Sequence, residues 1–438
     1  MKNIHYNKNI PLRDKVDIFI AGGGSAGISA GVTAAREGLK VYLAESHTCF
    51  GGMATAGYVP LFMQFGDGVN FLADGFGREV YDAVKQAGGI LYKDKYLSIP
   101  AEKLKRIYDT MAVDSGLDFT FQTAVVDSVV EDKSVKYAVC HSKNGTFAVE
   151  ADVFIDCTGD GELSLHCGAE YSFGDENGNT MPGTLCSLWA NIDWNRAEPP
   201  DKLNIAELLE KAFRDKIFTV EDRHHSGMAQ TGKNLGSANI GHVFDLNAAD
   251  ADSLTRGFIT GRKYLKEYEV FYNKYVKGYE NAELAASGSL MGVRESRRIR
   301  GEYVLNIHDY ISRRSFDDQI GCYCYEIDIH PGSAAKEEFE KFQNRFHTSR
   351  YQPGEHYGIP YRSLRAKGLE NLLVAGRCIS TDQKMQSSIR TMPGCFITGQ
   401  AAGAAAAIAA KQNCRLSQIN INDLQNKLTD IGAFIAKK

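Results

Sequence analysis

The chain has 438 residues, 43% of them hydrophobic and 24% charged, with a net charge of −4. That length exceeds one hydrophobic core, so two domains are expected. The composition is that of a globular protein, and the charge balance leaves no electrostatic footprint for nucleic acid or an anionic membrane.

Met1 to Lys15 is polar and lacks the apolar centre of a secretory signal. The longest small-apolar run, Ala401 to Ala410, is too short to cross a bilayer, so no membrane span is expected. Ten cysteines without framework spacing point to reduced thiols and a cytoplasmic location, a clipped signal peptide being the alternative.

Val16 to Ala21 reads as a buried strand that runs directly into Gly22, Gly23, Gly24, Ser25, Ala26 and Gly27. Ile28, Val32 and Ala35 then recur with helical spacing up to Gly38. A second strand, Lys40 to Ala44, ends at Glu45. Gly22, Gly24 and Gly27 fit the dinucleotide-binding pattern in its required context, strand before and helix after. Gly22 permits a tight turn, Gly24 has no Cβ to block a pyrophosphate, and Gly27 lets the helix approach the strand. The free N–H groups of the helix's first turn, at Ser25 and Ala26, would face the phosphates. Glu45 is placed to accept hydrogen bonds from an adenosine ribose, and its charge would repel a 2′-phosphate.

Ser46 to Gly57 carries a second glycine signal, Gly51-Gly52, followed by Met53, Ala54 and Thr55. A simple NAD domain has no need of it. Here the chain resembles bacterial FAD-dependent oxidoreductases of the glutathione-reductase-like superfamily, relatives of the succinate dehydrogenase and fumarate reductase flavoproteins. The resemblance implies FAD, with Ser46 and the Gly51 to Thr55 stretch along its diphosphate and flavin.

Tyr58 to Asn70 reads as a loop, either surface packing or a wall of the active site. Helices are expected over Leu72 to Ala87 and Pro100 to Ser115. Short strands follow at Phe119 to Phe121, Ala124 to Glu131, Val135 to Ser142 and Thr146 to Ala151, with a hairpin turn at Asn144-Gly145. The resemblance makes these the β-meander inserted into such FAD domains, with the backbone of Ala124 and Val125 on the adenine. Val153 to Cys157 is a buried strand ending at Thr158-Gly159. It resembles the superfamily's second FAD motif, near the ribose and pyrophosphate.

Asp175 to Asn179 is a polar turn cluster and marks a domain boundary. The expected division is an FAD-binding part over residues 1–175, a substrate-binding cap over 176–354, and a return to the FAD domain over 355–438. In the cap, strands at Leu185 to Ile192, Asn239 to Phe244 and Cys322 to Ile329 mix with helices at Ile205 to Phe213 and Ser253 to Lys277. Gly321 to Ile329 alternates with period two, the pattern of a half-buried antiparallel strand. Further on, Glu370 to Arg377 is a strand with a Gly-Arg end, and Ser387 to Gly394 opens a helix from Cys395 to Ala410. Gly399, Ala402, Gly403 and Ala406 suit that helix to close packing on the sheet or the first helix. The resemblance places its N-terminus, with Gly376, Arg377 and Gly394, at the flavin, where a partial positive charge stabilises the anionic reduced form. The fold class is therefore α/β: a Rossmann-like FAD-binding domain with a parallel sheet and inserted meander, plus an α+β cap with a mixed or antiparallel sheet.

Flavin chemistry moves a hydride to or from N5, so the protein must hold a C–H bond there and offer a proton donor or acceptor. Four arginines crowd the stretch from Arg294 to Arg300, suited to a salt-bridged face or to anchoring a carboxylate or polyol. Arg294 and Arg298 share a face if the segment is helical, and those two are the candidates. Arg377 and Arg390 flank the turn before the last helix. They could clamp a dicarboxylate or relay protons, or pair with Asp382 or the phosphates. His224, His225, His242 and His330 lie in the cap, and any could be the general base. His242 and His330, at strand ends, are the better placed, and His242 is the one chosen. No metal-ligand spacing is visible, so no metal is expected.

His47 sits in Ser46-His47-Thr48, similar to the Ser-His-Thr that carries covalent FAD in succinate dehydrogenase. Here Gly51-Gly52 begins four residues after His47, two fewer than in that family, so FAD is expected to be non-covalent. Cys49 has no C-x-x-x-x-C partner, which leaves disulfide-reductase chemistry without support. The expected activity is an FAD-dependent oxidation or reduction of a polar small molecule, hydroxylated or carboxylated, such as a sugar derivative or organic acid. The alternatives are a fumarate-reductase-like ene-reductase and a non-catalytic FAD-binding subunit that passes electrons to a partner. No second dinucleotide motif is present, so an external electron donor or acceptor is expected. Substrate, direction and oligomeric state are left open by the residues.

Overall fold

The computed structural model describes residues 4–198, 203–344 and 350–436. Its centre is a seven-stranded sheet. The strand Leu12–Ala21 runs parallel to Val41–Ala44 on one side and to Gly145–Asp156 on the other, with Ile18 opposite Val41 and Ile20 opposite Ile155. Asp118–Thr120 extends one edge, and Leu372–Val374 joins beside Gly145–Asp156. Ile18 to Ala21 are all fully buried. That is why they read as a continuous apolar run, since a parallel sheet is covered on both faces.

Gly145–Asp156 is one strand of 12 residues, where the residues suggested two. Its first half pairs antiparallel with Ser134–Ser142, which pairs in turn with Ala124–Glu131. Its second half enters the parallel sheet. Asp152, which looked like a break, points outward and pairs with Lys15 at 2.6 Å.

The helix Ser25–Ala35 follows the first strand, and Met392–Gln412 packs along it, with Ser29 Oγ donating to Phe396 O at 2.9 Å. At 21 residues this second helix is longer than expected and apolar enough to cross a membrane, yet 94% of its apolar window is buried in the protein. Its alanines are core packing.

Two large hydrophobic cores form among the described residues, beside a small cluster of Leu72, Cys322 and Cys324. The first gathers the main sheet, its helices and residues such as Ile299, Ile320, Tyr357 and Ile379. The second gathers Leu185, Trp189, Leu265, Phe271, Tyr272 and Met291. It is built on an antiparallel sheet in the order Met228–Gln230, Gly236–Ala238, Ser187–Ala190, Glu283–Ser287. The 25-residue helix Ala251–Tyr275 contributes to it; the Asp250 carboxylate caps that helix by accepting from Ser253 N at 2.6 Å.

In the cap, one condition is not met and one expectation is overturned. The arginine-rich segment is not helical: Arg297–Ile299 is a strand paired antiparallel with Tyr171–Phe173. Arg294 lies outside that strand, and the two side chains part: Arg294 reaches Pro182 and Thr184, Arg298 reaches Glu295 and Gly174. Gly321 to Ile329 is not a half-buried strand either. The strand is Gln319–Tyr323, paired with Tyr357–Pro360 and buried at every residue. The alanine-rich helix covers one of its faces, so closely that a Cβ on Gly321 would lie 2.4 Å from Ile397 Cγ2.

Candidate active site

A cleft of about 1020 Å³ is lined from both cores. Its floor is made by residues just past the carboxyl ends of the parallel strands, Gly22, Glu45, Cys157 and Ala375, which is where open α/β sheets bind ligands.

The glycine turn supplies Gly22, Gly24, Ser25 and Ala26 to the lining. A Cβ on Gly24 would meet nothing within 4 Å, so this residue faces open space. Gly27 is not in the lining. A Cβ there would lie 1.8 Å from Gly22 O, and its absence lets the helix start directly over the strand. The Gly51-Gly52 segment lies backbone to backbone on this turn, with Gly51 N donating to Gly23 O at 2.9 Å. Gly51, Gly52 and Met53 reach the cleft, whereas Ala54 and Thr55 are buried behind it. Thr55 Oγ1 donates to Phe50 O at 2.5 Å and so braces the turn.

Glu45 ties the two loops together. Its Oε2 accepts from Gly23 N at 2.5 Å and its Oε1 from His47 N at 2.7 Å. Ser46, Ala124 and Val125 line the same end of the cleft. Thr158 and Gly159 also line it. Their turn is held by Asp156, fully buried, whose Oδ1 accepts from Thr158 Oγ1 at 2.7 Å and whose Oδ2 accepts from Ser164 N at 2.8 Å.

Gly376 and Arg377 are in the lining, and Gly394 is buried below it. Arg377 bridges the two cores: its Nη2 pairs with Asp160 at 2.7 Å and its Nη1 donates to Val293 O at 2.8 Å. From the Tyr58 to Asn70 loop, Val59, Pro60, Leu61 and Met63 form part of the wall. His47 lies at the Glu45 end, half-buried, with Gln122 N donating to its carbonyl at 2.9 Å. Cys49 is buried, and burial raises its pKa.

The chain's own groups fit FAD. Two helices, starting at Ser25 and Met392, open their N-termini into one cleft, so two sets of free N–H groups and two partial positive charges face the same space. Open room at Gly24 suits a diphosphate at the first. At the second, Arg390 Nε is buried without a partner among the described residues, a donor left over for a ligand. The cleft's volume is at the upper end of ligand pockets, about 300–1000 Å³, as a large dinucleotide requires.

The cap adds a charged end. Arg294 is 7% exposed; its Nη1 donates to Pro182 O at 2.7 Å and Thr184 Oγ1 at 3.0 Å, and its Nη2 to Asn239 Oδ1 at 3.3 Å. Burial, seconded by Arg390, pulls its pKa down to about 10, so it stays charged at neutral pH. Arg390 Nη2 donates to Asp328 Oδ2 at 2.9 Å and to Asp328 O at 3.1 Å. Burial by itself would raise the Asp328 carboxyl, but His330, Arg390 and Arg294 outweigh it and hold it well below the usual range. Asp328 N is in turn anchored on Ser387 Oγ at 3.0 Å.

His224 and His330 line this end; His242 does not. It is 2% exposed and stands behind His330, with His242 Nε2 2.9 Å from His330 Nδ1. Burial lowers the pKa of all three rings, that of His224 to about 4. His225 turns away into the second core, 2.9 Å from Tyr272 Oη. Arg298 lies outside the cleft altogether: it forms a buried ion pair with Glu295, and its Nη2 donates to Gly174 O at 2.8 Å.

Asp156, Asp160, Asp222, Asn239 and Asp328 escaped the sequence reading. A usable signal existed only for Asp328, two residues before His330 in an apolar stretch.

The family described as FAD dependent oxidoreductase matches this chain over residues 17–428. The thiamine thiazole synthase of Methanococcus aeolicus is 28% identical over 190 residues, which is 40% of this chain and 66% of that protein. Among solved structures, a geranylgeranyl bacteriochlorophyll reductase-like protein of Thermoplasma acidophilum is 13% identical at a TM-score of 0.49, covering 97% of this chain and 85% of that one. The p-nitrophenol 4-monooxygenase of Pseudomonas putida is 9% identical at a TM-score of 0.48, covering 96% and 85%. The family match spans nearly the whole chain and meets a cleft that fits the dinucleotide: this protein belongs to the FAD dependent oxidoreductase family and is an enzyme that uses FAD.

Proposed function

We propose that the enzyme moves a hydride between its flavin and a hydroxylated or carboxylated small molecule held at the Arg294 end of the cleft. The observation that carries this reading is the gathering of Arg294, Arg390, Asp328, His224 and His330 next to the N-terminus of the alanine-rich helix. FAD, when bound, supplies the two-electron chemistry.

The chain's own residues bind and orient. Arg294 is held by three acceptors, so its charge is fixed in place and attracts an anionic or polar group. Arg390 retains a buried N–H that no atom of the described residues accepts. His224, His330 and Asp328 give the substrate's oxygen polar neighbours at this end of the cleft. His47 stands at the Glu45 end and Cys49 is sequestered, which supports non-covalent FAD. A kinship with the succinate dehydrogenase and fumarate reductase flavoproteins rests on the Gly51-Gly52 segment and the late helix alone.

Purified enzyme is expected to release its FAD into solution on denaturation. Under anaerobic conditions, a panel of hydroxy acids and sugar acids is expected to bleach it, or the oxidised counterparts to restore the colour of the reduced enzyme. NADH is expected to reduce it slowly. A flavin that stays attached to the unfolded chain rejects the non-covalent reading. A flavin indifferent to every acid and polyol, in both directions, rejects the substrate class.

A further inference from the structure

Three histidines from separate segments meet where the cap covers the cleft, and one ring nitrogen of each lies within 4.8 Å of the others. His242 Nε2 and His330 Nδ1 are 2.9 Å apart. Their outer nitrogens face carboxylates: His242 Nδ1 is 3.1 Å from Asp222 Oδ2, obliquely, and His330 Nε2 is 3.4 Å from Asp328 Oδ1. An ionised carboxylate only accepts, so a lone pair turned toward it is repelled and each outer nitrogen carries the hydrogen. The two inner nitrogens then turn lone pairs toward each other. Such a contact is stable only with a cation between them. A proton serves two rings, whereas here a third imidazole, His224, converges on the same point.

We infer that His224, His242 and His330 form a binding site for a divalent first-row transition metal. Three imidazoles, two of them backed by carboxylates, are a donor set for Zn²⁺, Fe²⁺ and their neighbours, with a coordination position left over. Metal–nitrogen bonds of about 2.1 Å in a tetrahedral site put the ligand nitrogens about 3.4 Å apart. The 2.9 Å pair is close to that spacing, and a modest inward shift of the most distant nitrogen completes it.

His224 and His330 line the cleft while His242 stands behind, so the remaining position opens toward the cleft. Arg294 and Arg390 face the same space and are balanced by Asp222 and Asp328. A bound dication leaves surplus positive charge, which selects an anionic oxygen as the further ligand. The site deepens the function proposed above, on which its link to the substrate rests, by giving that oxygen a Lewis acid.

The test is metal uptake by the FAD-loaded enzyme, stripped with a chelator and titrated with Co²⁺. One Co²⁺ per chain is expected, with d–d bands to the red of the flavin and displacement by Zn²⁺. His242→Gln, His330→Gln and His224→Gln are each expected to weaken uptake by about a hundredfold or more. His141→Gln, at an exposed position on the meander, is expected to leave it unchanged. Retained flavin absorbance reports that a variant has folded. Yellow wild-type enzyme without saturable uptake overturns the site, and so does uptake indifferent to all three substitutions; neither touches the proposed redox reaction. Saturable uptake by an enzyme that no hydroxy acid or sugar acid reduces leaves the site standing and rejects the substrate class.

Discussion

Gly399 lies over the carbonyl of Ala26, so close that a Cβ on the glycine would sit 2.2 Å from the oxygen; Gly403 stands in the same relation to Ala30, at 2.4 Å. Through these contacts two helices from opposite ends of the chain run backbone to backbone, which brings both N-termini to one cleft.

Gly403→Val is therefore expected to destabilise the enzyme by about 1–3 kcal/mol through overpacking, because the obstructing atom is backbone and cannot rotate away. Thermal unfolding and the ratio of flavin to protein absorbance check this. A variant as stable and as yellow as the wild type would mean that the helices do not meet in this way.

Gly24→Val separates folding from cofactor binding. No protein atom lies within 4 Å of the added Cβ, and the residue's φ of −62° is open to any side chain. The apo form is expected to unfold within about 0.5 kcal/mol of wild-type apoprotein. FAD affinity is expected to fall at least tenfold, about 1.4 kcal/mol, as measured by titrating FAD into apoprotein.

Arg298→Met is expected to act on stability. It leaves Glu295, 1% exposed, as a buried charge without its partner, which costs about 3–5 kcal/mol. Adding Glu295→Gln removes that charge and is expected to recover part of the loss. Chemical denaturation of the two single variants and the double variant completes the cycle. If Arg298→Met keeps full stability but loses turnover, the residue belongs to the active site after all.

Thiol labelling tests the burial of the cysteines. Burial pushes Cys186 and Cys395 up to about 12, so both are protonated thiols at pH 8 and poor nucleophiles. Iodoacetamide on the native enzyme at that pH is expected to modify Cys414, which is half-exposed, and to spare those two. Mass spectrometry of the digested protein reads the sites. Labelling of Cys395 ahead of Cys414 would show that the cleft floor is more open than described.

The cofactor half of the site was legible because its demands fall on the backbone. Gly22, Gly27, Gly51 and Gly399 stand where turning or close approach excludes a side chain, and Gly24 where the cofactor needs room; those requirements are visible as residue type in a linear chain. The cap was less legible. Arg294 and Arg298 would share a face in a helix; instead Tyr171–Phe173, more than a hundred residues earlier, pairs with Arg297–Ile299 and leaves Arg294 outside that strand. Gly321 to Ile329 alternates like a half-exposed strand, yet the strand formed is Gln319–Tyr323, and the alanine-rich helix packs on it at Gly321.

By itself, the sequence determined that this chain folds around a dinucleotide, since the glycine turn is a local motif that sets its own geometry; that the dinucleotide is FAD was implied by the resemblance carried by Gly51-Gly52 and the late helix. Tertiary structure alone decided which arginine faces the cleft and which is sealed in an ion pair. It also decided that His224, His242 and His330 converge. The reason is physical: where a side chain ends up depends on register and packing against remote segments, and neither is written in the residues beside it.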